Sequence, residues 1–212
     1  HDGTFGVGGQ ATVGLALFDL VADPGETTDV ASAHPDEVAR LGVTVRLNTM
    51  VLPDVPATIF EGEAELALVI GKKASNVKAA DAMGYIFGYT CFIDGSARGL
   101  PPPNNVFYQM KSRETFAPMG PWIVTADEIP NPQKLQVKLW NNGVLMQNFN
   151  TDDMAHKIPR CIEWASSIHT LNPGDILATG TNHRGLHPFM DGDTMELETE
   201  GLGRLKFAIK DD

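Results

Sequence analysis

The chain has 212 residues, 42% of them hydrophobic and 20% charged, with a formal net charge of -11. This is enough to bury a real core in one large domain or a small pair, with a composition ordinary for a globular protein. The acidic balance and the lack of a basic stripe argue against nucleic acid or anionic lipid as partner, and no apolar stretch approaches the roughly 20 residues that span a bilayer.

No signal peptide is legible from His1 onward. Cys91 and Cys161 are the only cysteines. Two thiols make neither a disulfide framework nor a zinc-finger spacing. Both lie in apolar surroundings and read as buried free thiols, which suits a reducing cytoplasm.

In chain order, Gly6-Val7-Gly8-Gly9 reads as a simple turn, because it lacks the strand-and-helix context of a nucleotide loop. Residues 11–21 read as a strand and 35–41 as a short helix, and Val51-Leu52-Pro53 is extended. Residues 63–71 form a strand carrying the apolar run Leu66-Ala67-Leu68-Val69-Ile70. Ala79 to Phe87 reads as a short helix and Tyr89 to Asp94 as the next strand. Pro101-Pro102-Pro103-Asn104-Asn105 is a loop. Leu135 to Trp140 alternates with period two, and Asn142-Gly143 turns it back as a hairpin. A helical segment begins at Thr151-Asp152-Asp153, and Pro159 should break or restart it. Asn172 to Asp175 is a turn, with short strands at 176–179, 194–199 and 205–209. Trp122, Trp140 and Trp164 read as core. Strands dominate, without the strand–helix alternation of a Rossmann fold.

Glu61, Glu63 and Glu65 stand at alternate positions leading into the apolar run. Residues two apart on a strand share a face, so these carboxylates crowd together at the edge of the core. Like charges at that distance need a proton, an arginine or a cation between them. A divalent cation answers best, because hard ions take clustered carboxylate oxygens. Asp94 ends the other apolar stretch, and Glu63, Glu65 and Asp94 read together as one metal site. Glu61 reads as a flanking residue. His183 and His187 have a four-residue spacing, but Gly185 and Pro188 argue against the helix a metal pair would need there.

Several motifs in one order resemble the fumarylacetoacetate hydrolase family over about residues 50–209. They are Glu63-Ala64-Glu65 with the strand to Lys72, Gly88-Tyr89-Thr90 leading into Asp94, Ser96-Ala97-Arg98, Lys111-Ser112, Thr115-Phe116-Ala117-Pro118-Met119-Gly120-Pro121-Trp122, Asn142-Gly143, Leu171-Asn172-Pro173-Gly174-Asp175 and Gly180-Thr181. The resemblance implies a mainly β (α+β) fold, a mixed β-sandwich roll with a few short flanking helices, usually dimeric. Residues 50–212 would form the catalytic domain and 1–49 an N-terminal segment. It implies Mg2+, Mn2+ or Ca2+ on Glu63, Glu65 and Asp94. Lys111 matches the family lysine beside the metal, Arg98 a substrate-facing arginine, and Thr181 the loop that contacts a substrate oxygen.

The sequence departs from the family pattern in two places. Gly99-Leu100-Pro101 stands where Asp-x-Gln commonly follows the arginine, so an unusual substrate is expected. The lid with a His-x-x-Glu pair does not stand just before Val51. His34-Pro35-Asp36-Glu37 has that spacing but reads better as a surface helix start, with acids at the positive end of the helix dipole. The abrupt join between Val45 and Met50 marks where a disordered or deleted lid would belong.

The expected activity is cleavage of a C–C bond in an acylpyruvate-like β-diketo or 2-oxo acid through a metal-stabilised enolate, with Lys111 adding positive charge. His183 is the fallback general base. The same chemistry serves an isomerase, hydratase or decarboxylase acting on a 2-oxo-dienoate or an oxaloacetate-like acid, so family alone does not decide the reaction. A protein without its base would bind a small acid and metal without turnover.

Overall fold

The computed structural model describes residues 5–7, 11–13, 49–101 and 107–212. The helix expected at 35–41, the His34–Glu37 pair, the join up to Asn48 and most of the strand expected at 11–21 lie outside the described residues. Strands β1 (Phe5–Val7) and β2 (Ala11–Val13) pair antiparallel.

Among the described residues, two five-stranded sheets hold the remaining strands. The first is built on β4 (Ile59–Ile70) and β5 (Ile86–Arg98), long antiparallel partners in register from Ile59↔Arg98 to Val69↔Gly88. β6 (Met119–Thr125) flanks β5. The short strands β9 (Ile176–Ala178) and β10 (Pro188–Phe189) pair with two separate stretches of β4. From Gly62 to Ile70 nearly every β4 residue is buried, so an apolar run without alternation is what a strand covered on both faces requires.

The second sheet runs β3 (Thr49–Leu52), β12 (Gly203–Asp211), β11 (Thr194–Thr199), β7 (Gln136–Asn141) and β8 (Val144–Asn150). Only β3 and β12 pair parallel; the other neighbours are antiparallel. β7 and β11 show the one-face burial that their period-two sequences anticipate. Asn142 (φ 50°) and Gly143 (φ 77°) make the two-residue turn between β7 and β8, both in the left-handed region that such a hairpin needs. Leu66, Leu68 and Ile70 of β4 and Ile93 of β5 join Leu139, Leu197, Phe207 and Ile209 in one buried cluster between the sheets. The fold is mostly β with few helices. α1 (Phe107–Lys111) and α2 (Ile158–Ile168) flank it, and Pro159 sits in the first turn of α2, where its missing N–H is not needed.

Three expectations change. The helix expected over Ala79–Phe87 is only a 3-10 turn at Ala82–Tyr85, because Ile86 and the residues after it pair with β4. Tryptophan is not core here. Trp122 and Trp164 are 47% and 59% exposed, and Trp140, on the outer face of β7, stacks under Arg204 at 4.5 Å. Cys91 is buried, but Cys161 on α2 is only partly so.

Candidate metal centre

Antiparallel pairing decides which side chains meet. Glu63 stands opposite Asp94, and Glu61 opposite Ser96. Ala64, Leu66 and Leu68 point into the inter-sheet core, so Glu61, Glu63 and Glu65 project from the other face of β4. Asp94, Ser96 and Arg98 share the corresponding face of β5.

Carboxylate oxygens of Glu63, Glu65 and Asp94 lie within 4.8 Å of one another. Glu63 and Glu65 are buried, at 6% and 2% exposure. Lys111, at the end of α1, reaches into the group: its Nζ donates to Glu63 Oε2 at 3.0 Å, to Asp94 Oδ2 at 2.5 Å and to Ser96 Oγ at 3.0 Å. Arg98 donates from Nε to Glu61 Oε2 at 2.8 Å and from its terminal guanidinium nitrogen to Glu63. Glu61 is thus an arginine partner at the flank.

Four carboxylates (Glu61, Glu63, Glu65, Asp94) face two cations (Arg98, Lys111), leaving two formal negative charges. An all-oxygen donor set with that residue of charge fits a hard divalent ion. Burial, more than the excess charge, shows in the titration of the group. Burial pushes the Glu65 carboxyl up to about 8, against the opposing hydrogen bond from the Gly180 N–H, with the charges of Asp94 and Glu63 adding to the rise. Burial also raises Asp94, while Lys111 pulls it back. Burial opposes the charge on Arg98, yet Glu61 and Glu63 hold its pKa above the ordinary value.

The loop after β9 closes over Glu65. Gly180 N–H donates to Glu65 Oε2 at 2.7 Å, and the Thr181 hydroxyl beside it accepts from Gln147 Nε2 at 3.1 Å. His183 is exposed further along this loop. With Thr181 it lines a cleft of about 770 Å³ that Trp164, His156 and Met154 also border; the three carboxylates are not among its lining residues. Among the described residues, His183 and His187 belong to no cluster that could hold a metal.

Sequence reading missed two members of this neighbourhood. Ser96, fully buried, stands midway between Asp94 and Arg98 on one face, and that period-two spacing was a usable signal. Gln147 carried no local signal, because it comes from the other sheet.

The arrangement defines a class: a carboxylate cluster able to hold a divalent ion, with an adjoining lysine, carried on a two-sheet β fold. Residues 26–210 match the model of the fumarylacetoacetate hydrolase C-terminal domain; the chain belongs to this family. It is 42% identical over 148 residues to a maleylpyruvate hydrolase of Aquipseudomonas alcaligenes, covering 70% of this chain and 50% of that protein. It is 47% identical over 156 residues to a mitochondrial oxaloacetate tautomerase of Xenopus laevis, covering 69% and 49%. The chain thus spans about half the length of these curated relatives. The structure of a maleylpyruvate hydrolase from Sphingobium sp. SYK-6 in complex with manganese(II) and pyruvate superposes with a TM-score of 0.71 at 40% identity, covering 77% of this chain and 59% of that one.

Proposed function

We propose that the chain is a divalent-metal-dependent hydrolase that cleaves a C–C bond in an acylpyruvate-like acid. The observation that carries this reading is the convergence of Glu63, Glu65 and Asp94 with Lys111 hydrogen-bonded to two of them. The three carboxylates would hold Mg2+, Mn2+ or Ca2+. When bound, such an ion supplies a Lewis acid for the keto oxygen of a 2-oxo acid.

The chain's own residues supply the rest. The Lys111 ammonium offsets negative charge growing on the same oxygen. Arg98 presents a cation to the substrate carboxylate, and Thr181 offers a hydroxyl to a substrate oxygen. His183, exposed at the cleft, takes a proton from water as that water adds to the distal carbonyl. The C–C bond then breaks, its electron pair leaves with the pyruvate half, and a proton returns to that carbon. The pyruvate and manganese held by the Sphingobium relative support this choice of substrate class.

The 47% identity to an oxaloacetate tautomerase favours a second reading, in which the same site moves a proton on an oxaloacetate-like acid without breaking a bond. A panel of acylpyruvates, oxaloacetate and 2-oxo-dienoates, assayed with Mg2+ or Mn2+ and again with EDTA, separates them. Pyruvate release that EDTA abolishes is the expected result. Enol–keto exchange of oxaloacetate without pyruvate release assigns the second reading. No turnover with either ion leaves a protein that binds small acids and metal without catalysis.

The same reading makes the protein a cytoplasmic homodimer in aromatic catabolism. The free thiols suit a reducing compartment, and no helix among the described residues is long and apolar enough to cross a membrane. Phe107 and Tyr108, exposed on α1 a turn before Lys111, give a second copy an apolar surface to cover. Sedimentation at micromolar concentration tests the dimer.

A further inference from the structure

Building on the role given above to Thr181, we propose that Gln147 is a positioning residue that sets the polarity of the Thr181 hydroxyl. It makes that hydroxyl a donor toward an acceptor-only group of the bound acid, a carboxylate or keto oxygen.

Gln147 is fully buried on β8, a strand whose other residues are exposed or half-exposed. Its side chain leaves its own sheet and enters the other. β4 pairs on its outer edge with β10 at Phe60–Glu61 and with β9 at Ala67–Val69. The Ala64 N–H falls in the gap between them, and Gln147 Oε1 accepts its hydrogen bond at 3.1 Å. A carboxamide thus takes the place of a missing strand, between Glu63 and Glu65. Its Nε2 donates to the Asn182 carbonyl oxygen at 2.6 Å and to Thr181 Oγ1 at 3.1 Å.

The orientation of the amide has one solution. The Ala64 N–H can only donate and the Asn182 carbonyl can only accept, so the oxygen faces Ala64 and the NH2 faces the loop. Thr181 Oγ1 must therefore accept from Gln147. A threonine hydroxyl has one proton, and this arrangement leaves it for a ligand. A carboxylate or keto oxygen completes the chain of hydrogen bonds, whereas a ligand presenting N–H or O–H at this point does not. The loop is further held by Asn182 Nδ2 donating to Asp153 Oδ2 at 2.6 Å. Gly185 (φ 79°) rests against β8 so closely that an added Cβ would lie 2.0 Å from the Met146 carbonyl oxygen.

Oxalate binding to the Mn2+-loaded protein, followed by calorimetry, tests this without turnover. Gln147→Met and Thr181→Val are each expected to weaken oxalate by about tenfold while leaving Mn2+ affinity unchanged, and the double variant to lose no more than either single one. Thr181→Ser keeps the hydroxyl and is expected to bind as the wild type does. Gln147→Glu keeps the shape and the Ala64 bond but cannot donate, so it is expected to lose oxalate affinity even if Gln147→Met does not fold. Additive losses in the double variant, or wild-type oxalate affinity in Gln147→Glu, overturn the proposal. A wild-type protein that takes up no Mn2+ overturns the metal reading and this one with it; normal uptake with additive losses overturns only the role of Gln147.

Discussion

Glu65 concentrates the electrostatics of the molecule in one side chain. Its carboxyl, pushed up to about 8 chiefly by burial, is protonated at neutral pH in the ion-free protein. A cation can bind it only as a carboxylate, so ion uptake must expel the proton. Mn2+ affinity should therefore rise with pH until about pH 8 and then level off, with close to one proton released per ion at pH 7. Calorimetry in buffers of different ionisation enthalpy measures both. Linkage sets the sign for stability as well. Between the ordinary value of 4.5 and about 8, folded Glu65 holds a proton that the unfolded chain has lost. Stability without the ion must then fall as pH rises through that window. Glu65→Gln removes the dependence, so the melting temperature of the variant should gain on the wild type from pH 4.5 to 8. Lys111 gives the complementary test. Lys111→Met removes a cation from the carboxylates, so Mn2+ affinity should hold or rise, while kcat/KM for the acylpyruvate that is turned over should fall about 10²–10³-fold.

At the scale of elements, the long pair β4–β5 carries the carboxylate cluster and the short pieces around it give it shape. Two glycines separate turn strain from collision. Gly143 has φ 77° with nothing near its missing Cβ, whereas Gly185 has φ 79° and a carbonyl oxygen 2.0 Å away. Gly143→Ala should cost about 1–2 kcal/mol, the ordinary penalty of a left-handed alanine. Gly185→Ala should cost more, because the loop must also leave β8; urea unfolding of both variants measures the difference. The strands with clean alternation, β7 and β11, were legible because one of their faces is wet and the other dry. The helix expected at Ala79–Phe87 failed because Ile86 finds a partner in Ile70, and strand pairing outweighs a weak local helical pattern. Trp140 departs from the expected core position for a related reason: hydrophobicity alone does not carry the pleat, which turns Leu139 inward and Trp140 outward.

For the whole molecule, both sheets stand on one core, so damage deep in the second sheet should reach the first. Leu197→Ala, at a fully buried position shared by both sheets, should cost about 2–5 kcal/mol in urea unfolding. An ion bound only by the folded state adds stability by mass action. Millimolar Mn2+ should accordingly raise the melting temperature of the wild type and leave that of Glu63→Ala unmoved. The sequence by itself determined that the chain is mostly β, that it belongs to the fumarylacetoacetate hydrolase family, and that Glu61, Glu63 and Glu65 share a face. These follow from alternation and order along single strands, and a strand's two-residue period is written in its residues. Tertiary structure alone decided that Asp94 stands opposite Glu63, that Gln147 crosses to the other sheet and meets Thr181, that Gly180 closes over Glu65, and that Lys111 spans Glu63 and Asp94. Each of these contacts joins residues distant in the chain, and only the packing of the two sheets and their loops brings such atoms within hydrogen-bond reach.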